Sequence, residues 1–90
     1  MYQVVWLQTA LNELTTIWMQ ADSSTRQAVT AAANWIDQTL NTDPQEQGES
    51  RDRGRHFLYV PPLSITFEVH SDLSIVRILH VRLVRRRNRQ

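Results

Sequence analysis

Leu63-Ser64-Ile65-Thr66-Phe67-Glu68-Val69-His70 alternates apolar and polar side chains without a break. Successive side chains of a strand point to opposite faces. Leu63, Ile65, Phe67 and Val69 therefore face a core, and Ser64, Thr66, Glu68 and His70 face water. The sequence around this strand continues the same sheet. His56 to Val60 is a second strand, which Pro61-Pro62 stops. Ser71-Asp72 is a turn. Ile75 to about Leu83 is the last strand. Its first half is apolar on both faces, Ile75 and Leu79 against Val76 and Ile78, which places it inside the sheet and not at an edge.

Upstream the period changes. Val4-Val5-Trp6-Leu7 reads as a short first strand. Leu7, Leu11, Leu14, Ile17 or Trp18, and Ala21 then recur at three- and four-residue spacing, which predicts a helix from about Gln8 to Gln20. Ser24 with Gln27 three residues later fits a capping box. Val29, Ala32, Ala33, Ile36 and Leu40 carry a second helix to about Leu40. The short linker makes the two helices an antiparallel hairpin. Asn41 to Gly54 is polar, contains Pro44, Gly48 and Gly54, and reads as a loop. The predicted fold is α+β in the order β-α-α-β-β-β. The helix hairpin packs on one face of a mostly antiparallel four-stranded sheet. Residues 1–84 form one domain, and 85–90 are a basic tail.

The chain has 90 residues, enough for one domain with a small core. It has no cysteine. Disulfides and thiolate zinc sites are therefore excluded, and a cytoplasmic location fits best. Three histidines without a close pair give no metal signature, and no cofactor is expected. Met1-Tyr2-Gln3-Val4-Val5-Trp6 lacks the pattern of a signal peptide. No apolar run is long enough to span a membrane.

The net charge of +1 hides an asymmetry. Residues 1–50 carry Arg26 against Glu13, Asp22, Asp37, Asp43, Glu46 and Glu49. Residues 51–90 carry nine arginines against Asp52, Glu68 and Asp72. Every basic residue except histidine is arginine. Its planar fork reads phosphate and carboxylate in bidentate fashion. The second half is thus the candidate surface for an anionic partner.

The element order and several local motifs together resemble the RelE/ParE toxin superfamily. Leu40-Asn41-Thr42-Asp43-Pro44 is similar to the family's ending of the second helix. Gly48-Glu49-Ser50-Arg51 is similar to the loop that follows in one branch. Arg55 to Val69 resembles the central hairpin, and Val76-Arg77-Ile78-Leu79-His80-Val81-Arg82 resembles the last strand. The resemblance runs from about Val4 to Arg87. It implies the toxin of a type II toxin–antitoxin pair, of the plasmid-stabilisation type, held inactive by an antitoxin from an adjacent gene. Ribonuclease members cut mRNA on the ribosome without metal, ParE-type members poison DNA gyrase, and the remaining alternative is a degenerate, non-toxic member of the same fold that only binds RNA or a partner. At Ser64 and Leu83 this chain departs from the arginine and histidine that ribonuclease members often carry there.

Metal-free RNA cleavage needs a base, an acid, and cations for the charged phosphorane. Arg51, Arg53, Arg55, His56 and Arg82 are the candidate catalytic set. Arg77, Arg85, Arg86 and Arg87 are candidate nucleic-acid contacts. His56, His70 and His80 are the candidate acid–base imidazoles, and Glu49 and Glu68 are candidate bases. Each has a plainer reading. Arg51, Arg53 and Arg55 fit a solvated loop paired with Glu46, Glu49 or Asp52. His56 fits an exposed strand position, His70 an exposed residue before a turn, and His80 a half-buried, hydrogen-bonded one. Trp18 and Trp35 fit the core or a partner groove. The tail fits a solubilising end, a phosphate-neutralising arm or an antitoxin contact.

Overall fold

The computed structural model describes residues 1–84. The elements are β1 (Gln3–Trp6), α1 (Gln8–Gln20), α2 (Ser23–Thr42), β2 (Glu49–Ser50), β3 (Arg55–Val60), β4 (Leu63–His70) and β5 (Ile75–Leu83). Short 3-10 turns occupy Pro44–Glu46 and Asp52–Gly54. The α+β class and element order are as read from the sequence, with one strand more. The sheet has five strands in the order β1-β5-β4-β3-β2. β1 runs parallel to β5, and the other neighbours are antiparallel. β5 lies inside the sheet, as its two apolar faces required.

The extra strand lies in the expected loop. Glu49 and Ser50 pair with Phe57 and His56. Two residues carry no hydrophobic period, so the pairing had no sequence signal. Gly48 makes it geometrically possible. It sits at φ 72, and a Cβ there would run into the Phe57 carbonyl. Gly48→Ala therefore combines left-handed strain of about 1–2 kcal/mol with a backbone collision. The expected result is a lower denaturation midpoint and faster amide exchange at Phe57, measured by hydrogen exchange.

Both helices form where the apolar period placed them, but α2 is longer than expected at each end. It begins at Ser23, so Ser24 already lies in the first turn and the expected capping box does not form. Asp22 is the cap: its side chain accepts from the Thr25 N–H at 2.8 Å. That bond holds the Asp22 carboxyl below its ordinary pKa. Arg26 closes α1 by donating to the carbonyls of Trp18 and Met19, with its guanidinium over the Trp18 ring at 4.2 Å. At the other end of α2, Asn41 and Tyr2 exchange hydrogen bonds of 2.7 and 2.8 Å. Trp6 Nε1 donates to Asp37 at 2.7 Å. These contacts fasten β1 to α2.

The core lies between the helices and one face of the sheet. Ala10, Val29, Ala32, Ile36 and Leu40 meet Leu63, Ile65, Phe67, Val76, Ile78 and Val81 there. In β5 the buried positions are 76, 78 and 81, not 76, 78 and 80. Thr66 pairs with His80 and Phe67 with Ile78, so Leu79 is an extra residue in a β-bulge. The bulge reverses which side chains face inward along the rest of the strand. Trp18 and Trp35 are not core residues: each remains more than two-fifths exposed on the helix hairpin.

Candidate nucleic-acid interface

The face of the sheet away from the helices carries three rows of side chains in register. Arg55, Glu68 and Arg77 form one, Phe57, Thr66 and His80 the next, and Tyr59, Ser64 and Arg82 the third. Ser50, Arg51, Arg53, Arg55, Phe57, Thr66, His80 and Arg82 enclose an open cleft of about 910 Å³. Its short floor residue, Thr66, lies between longer side chains from β3 and β5. A second concavity, about 930 Å³, lies between the helix ends and the Pro61-Pro62 turn. Among the described residues Asp22 is the one charged side chain that lines it.

The cations reach the cleft by different routes. Arg51 is paired with Glu49 at 2.9 Å and lies over the Phe57 ring at 4.9 Å. Arg53 adopts φ 66 in the turn before β3, and Gly54 follows at φ 72. This double left-handed turn separates Arg51 from Arg55 and lets all three arginines line the same concavity. Arg55 Nε lies 3.4 Å from Glu68. Arg53, Arg77 and Arg82 make no salt bridge among the described side chains. Exposed pairs such as Arg51–Glu49 contribute little to stability and exchange readily for a phosphate.

Of the sequence candidates, Arg51, Arg53, Arg55 and Arg82 line the cleft. Arg77 is exposed on the same face of β5 but outside that lining. Arg85, Arg86 and Arg87 lie outside the described residues, as does the rest of the 85–90 tail. His56 is a correction. It points to the core face, only 7% exposed, and its ring stacks on Phe67 with centroids 4.9 Å apart. Its Nδ1 donates to the Gln47 carbonyl at 3.1 Å. It is a packing residue that ties β3 to the loop before β2, and the exposed strand position expected for it is overturned along with its access to the cleft.

His80 is the opposite correction. It was expected half-buried, yet its side chain is 51% exposed and lines the cleft. Only the bulge at Leu79 puts it there, and a bulge is a property of strand pairing that no residue in β5 announces. Phe57, 44% exposed beside Arg51, was likewise not singled out. Its place two residues from Arg55 in a strand was the available signal.

Glu68 holds the far end of the cleft together. The hydrogen bond from His70 Nε2, at 3.0 Å, is the main cause of its pKa lying below the ordinary 4.5; partial burial opposes the shift and Arg55 adds to it. A carboxylate with a depressed pKa stabilises the fold above its unfolded pKa, and that contribution is lost as pH falls through the folded value. Glu68→Gln should therefore flatten the loss of stability in the acid range below 4.5. Urea unfolding of both proteins, near neutral pH and in that range, measures it. Equal acid sensitivity of the two would show that the His70–Glu68 contact contributes nothing.

The architecture recurs in solved structures. The chain superposes on the chromosomal ParDE toxin–antitoxin system of Pseudomonas aeruginosa with a TM-score of 0.73 and 20% identity, covering 94% of this chain and 98% of that one. The toxin–antitoxin complex RelBE2 of Mycobacterium tuberculosis gives 0.69 and 16%, covering 91% and 90%. The fold is that of the RelE/ParE toxins. Isolated RelE of Escherichia coli gives 0.66 and 14%, covering 97% and 88%. No family model and no curated protein matches the chain in sequence. At these identities the RelE/ParE likeness is one of backbone.

Proposed function

We propose that this chain is the toxin of a type II toxin–antitoxin pair and that it acts as an endonuclease on mRNA at the ribosome. One observation carries the reading: Arg51, Arg53, Arg55 and Arg82 converge with His80 on one cleft of a RelE/ParE fold. Arginines grouped around a small hydroxyl floor suit a polyanion with a flexible backbone. Phe57 adds an apolar surface for an unpaired base. The described helices contain none long and apolar enough to cross a membrane. The cytoplasm, where messages are translated, is the proposed site of action.

The partner is a small antitoxin encoded beside this gene. Two of the similar structures are themselves toxin–antitoxin assemblies. The helix hairpin leaves Leu11, Trp18, Met19 and Trp35 exposed, apolar side chains that a partner segment can cover. A basic cleft and basic tail suit an acidic partner segment that folds on binding.

A second reading, a non-catalytic toxin that binds DNA gyrase, is favoured by Ser64, which gives the cleft no cation from the middle of β4. Induced expression separates the two. Growth arrest with messages cut inside codons supports the nuclease. Trapped gyrase and a DNA-damage response support the second. Unimpaired growth would leave a partner-binding domain without toxicity.

A further inference from the structure

The histidine in the cleft is not held by its own strand. β1 stops pairing with β5 at Trp6 and Ile78, so among the described residues no strand pairs with the rest of β5 on that side. α1 runs along this edge, and Glu13 stands where the next strand would. Its Oε1 accepts from the Val81 N–H at 2.9 Å, and its Oε2 lies 3.3 Å from Nδ1 of His80. Both carboxylate oxygens are therefore engaged, one by backbone and one by the ring. An ionised carboxylate only accepts, so in the neutral ring Nδ1 carries the proton. Nε2 is then the unprotonated nitrogen. Neither other histidine competes for the cleft: His56 is buried on the core face, and Nε2 of His70 is taken by Glu68.

The geometry points to His80 as the group that accepts the 2′-hydroxyl proton of RNA in the cleft, and to Glu13 as the residue that positions it. This rests on reading the cleft as an RNA-cleaving site. Nε2 takes the proton as the 2′-oxygen forms its bond to phosphorus. The bond from phosphorus to the 5′-oxygen breaks, and that oxygen takes its electron pair and a proton from water. The imidazolium returns its proton to the hydroxide left behind. The products are a 2′,3′-cyclic phosphate and a 5′-hydroxyl. Arg82, in the row next to His80, and Arg55 stand where they can balance charge on the phosphorane. A base oriented by a third group is the general device for activating a hydroxyl.

Glu13→Gln tests this without removing the anchor. The amide oxygen keeps the Val81 bond, so the amide nitrogen faces Nδ1 and donates to it. The ring proton must then move to Nε2, which can no longer accept. In the full-length chain, nitrogen-15 NMR should show the neutral His80 ring as the Nδ1–H tautomer, and as the Nε2–H tautomer in Glu13→Gln. The denaturation midpoint should be unchanged. Single-turnover cleavage of a message on programmed ribosomes should fall about 10²–10⁴-fold in Glu13→Gln and in His80→Ala, with RNA affinity kept. The same tautomer in both proteins overturns the role of Glu13. Wild-type cleavage by His80→Ala overturns the role of His80 and leaves the cleft reading standing. A wild-type chain that cuts no RNA overturns both.

Discussion

Replacing Arg51, Arg53 and Arg55 together with alanine should abolish the RNA-linked growth arrest of the induced chain while leaving it folded. All three side chains are exposed, and their partners, Glu49 and Glu68, lie at the surface or keep His70 as a second contact. Arg53 holds φ 66, and alanine pays a comparable penalty at that backbone geometry, so the turn survives. The loss is electrostatic. Each phosphate contact on a single strand adds about 0.7 to the slope of log affinity against log salt. The triple variant should therefore lose about 2 from that slope, measured by fluorescence anisotropy on a labelled single strand across a salt series. An unchanged slope would mean that the arginines face solvent or acids and not RNA. An unfolded variant is recognised independently by its circular dichroism.

Phe67→Ala should remove the fold itself. Phe67 is fully buried at the centre of β4, flanked on β3 by the ring of His56 and on β5 by Ile78. Truncating a buried phenylalanine costs about 3–5 kcal/mol. A domain of this size has a total stability on the order of 5 kcal/mol, at the lower end of the usual range. The deletion also strips His56 of its stacking partner, and the rim of the cleft is built on the same strand. Urea denaturation should show a chain largely unfolded without denaturant. A cooperative transition within 1 kcal/mol of the wild type, on the order of one buried methylene, would show that the core lies elsewhere.

Much of the fold was legible because its signals are periodic. The unbroken alternation from Leu63 to His70 fixes one wet face, and the recurrence from Leu7 to Ala21 marks α1 as a helix, although Leu11 and Trp18 of that series stay exposed and Ala10 is the residue it buries. Both follow from where successive Cβ atoms point, which is local geometry. The arginine surplus after residue 50 was also plain in the chain. The signal failed where pairing is short or irregular. Glu49–Ser50 is too brief to show a period, and its pairing depends on how closely Gly48 approaches β3. Asp22 took the cap from Ser24, two residues sooner, by accepting from the Thr25 N–H.

By itself the sequence determined two layers, their order, and a cationic second half. Only the folded chain decided which cations and which histidine share a cleft. Strict alternation from Val76 and Ile78 would have carried His80 and Arg82 inward and turned Val81 out to water. The one extra residue at Leu79 reverses this, burying Val81 and delivering His80 and Arg82 to the outer face. A hydrophobic pattern records which residues prefer to be dry. Register between strands depends on contacts made far away in the chain, here Thr66 and Phe67 on β4 and Glu13 on α1, and those exist only once the layers have packed.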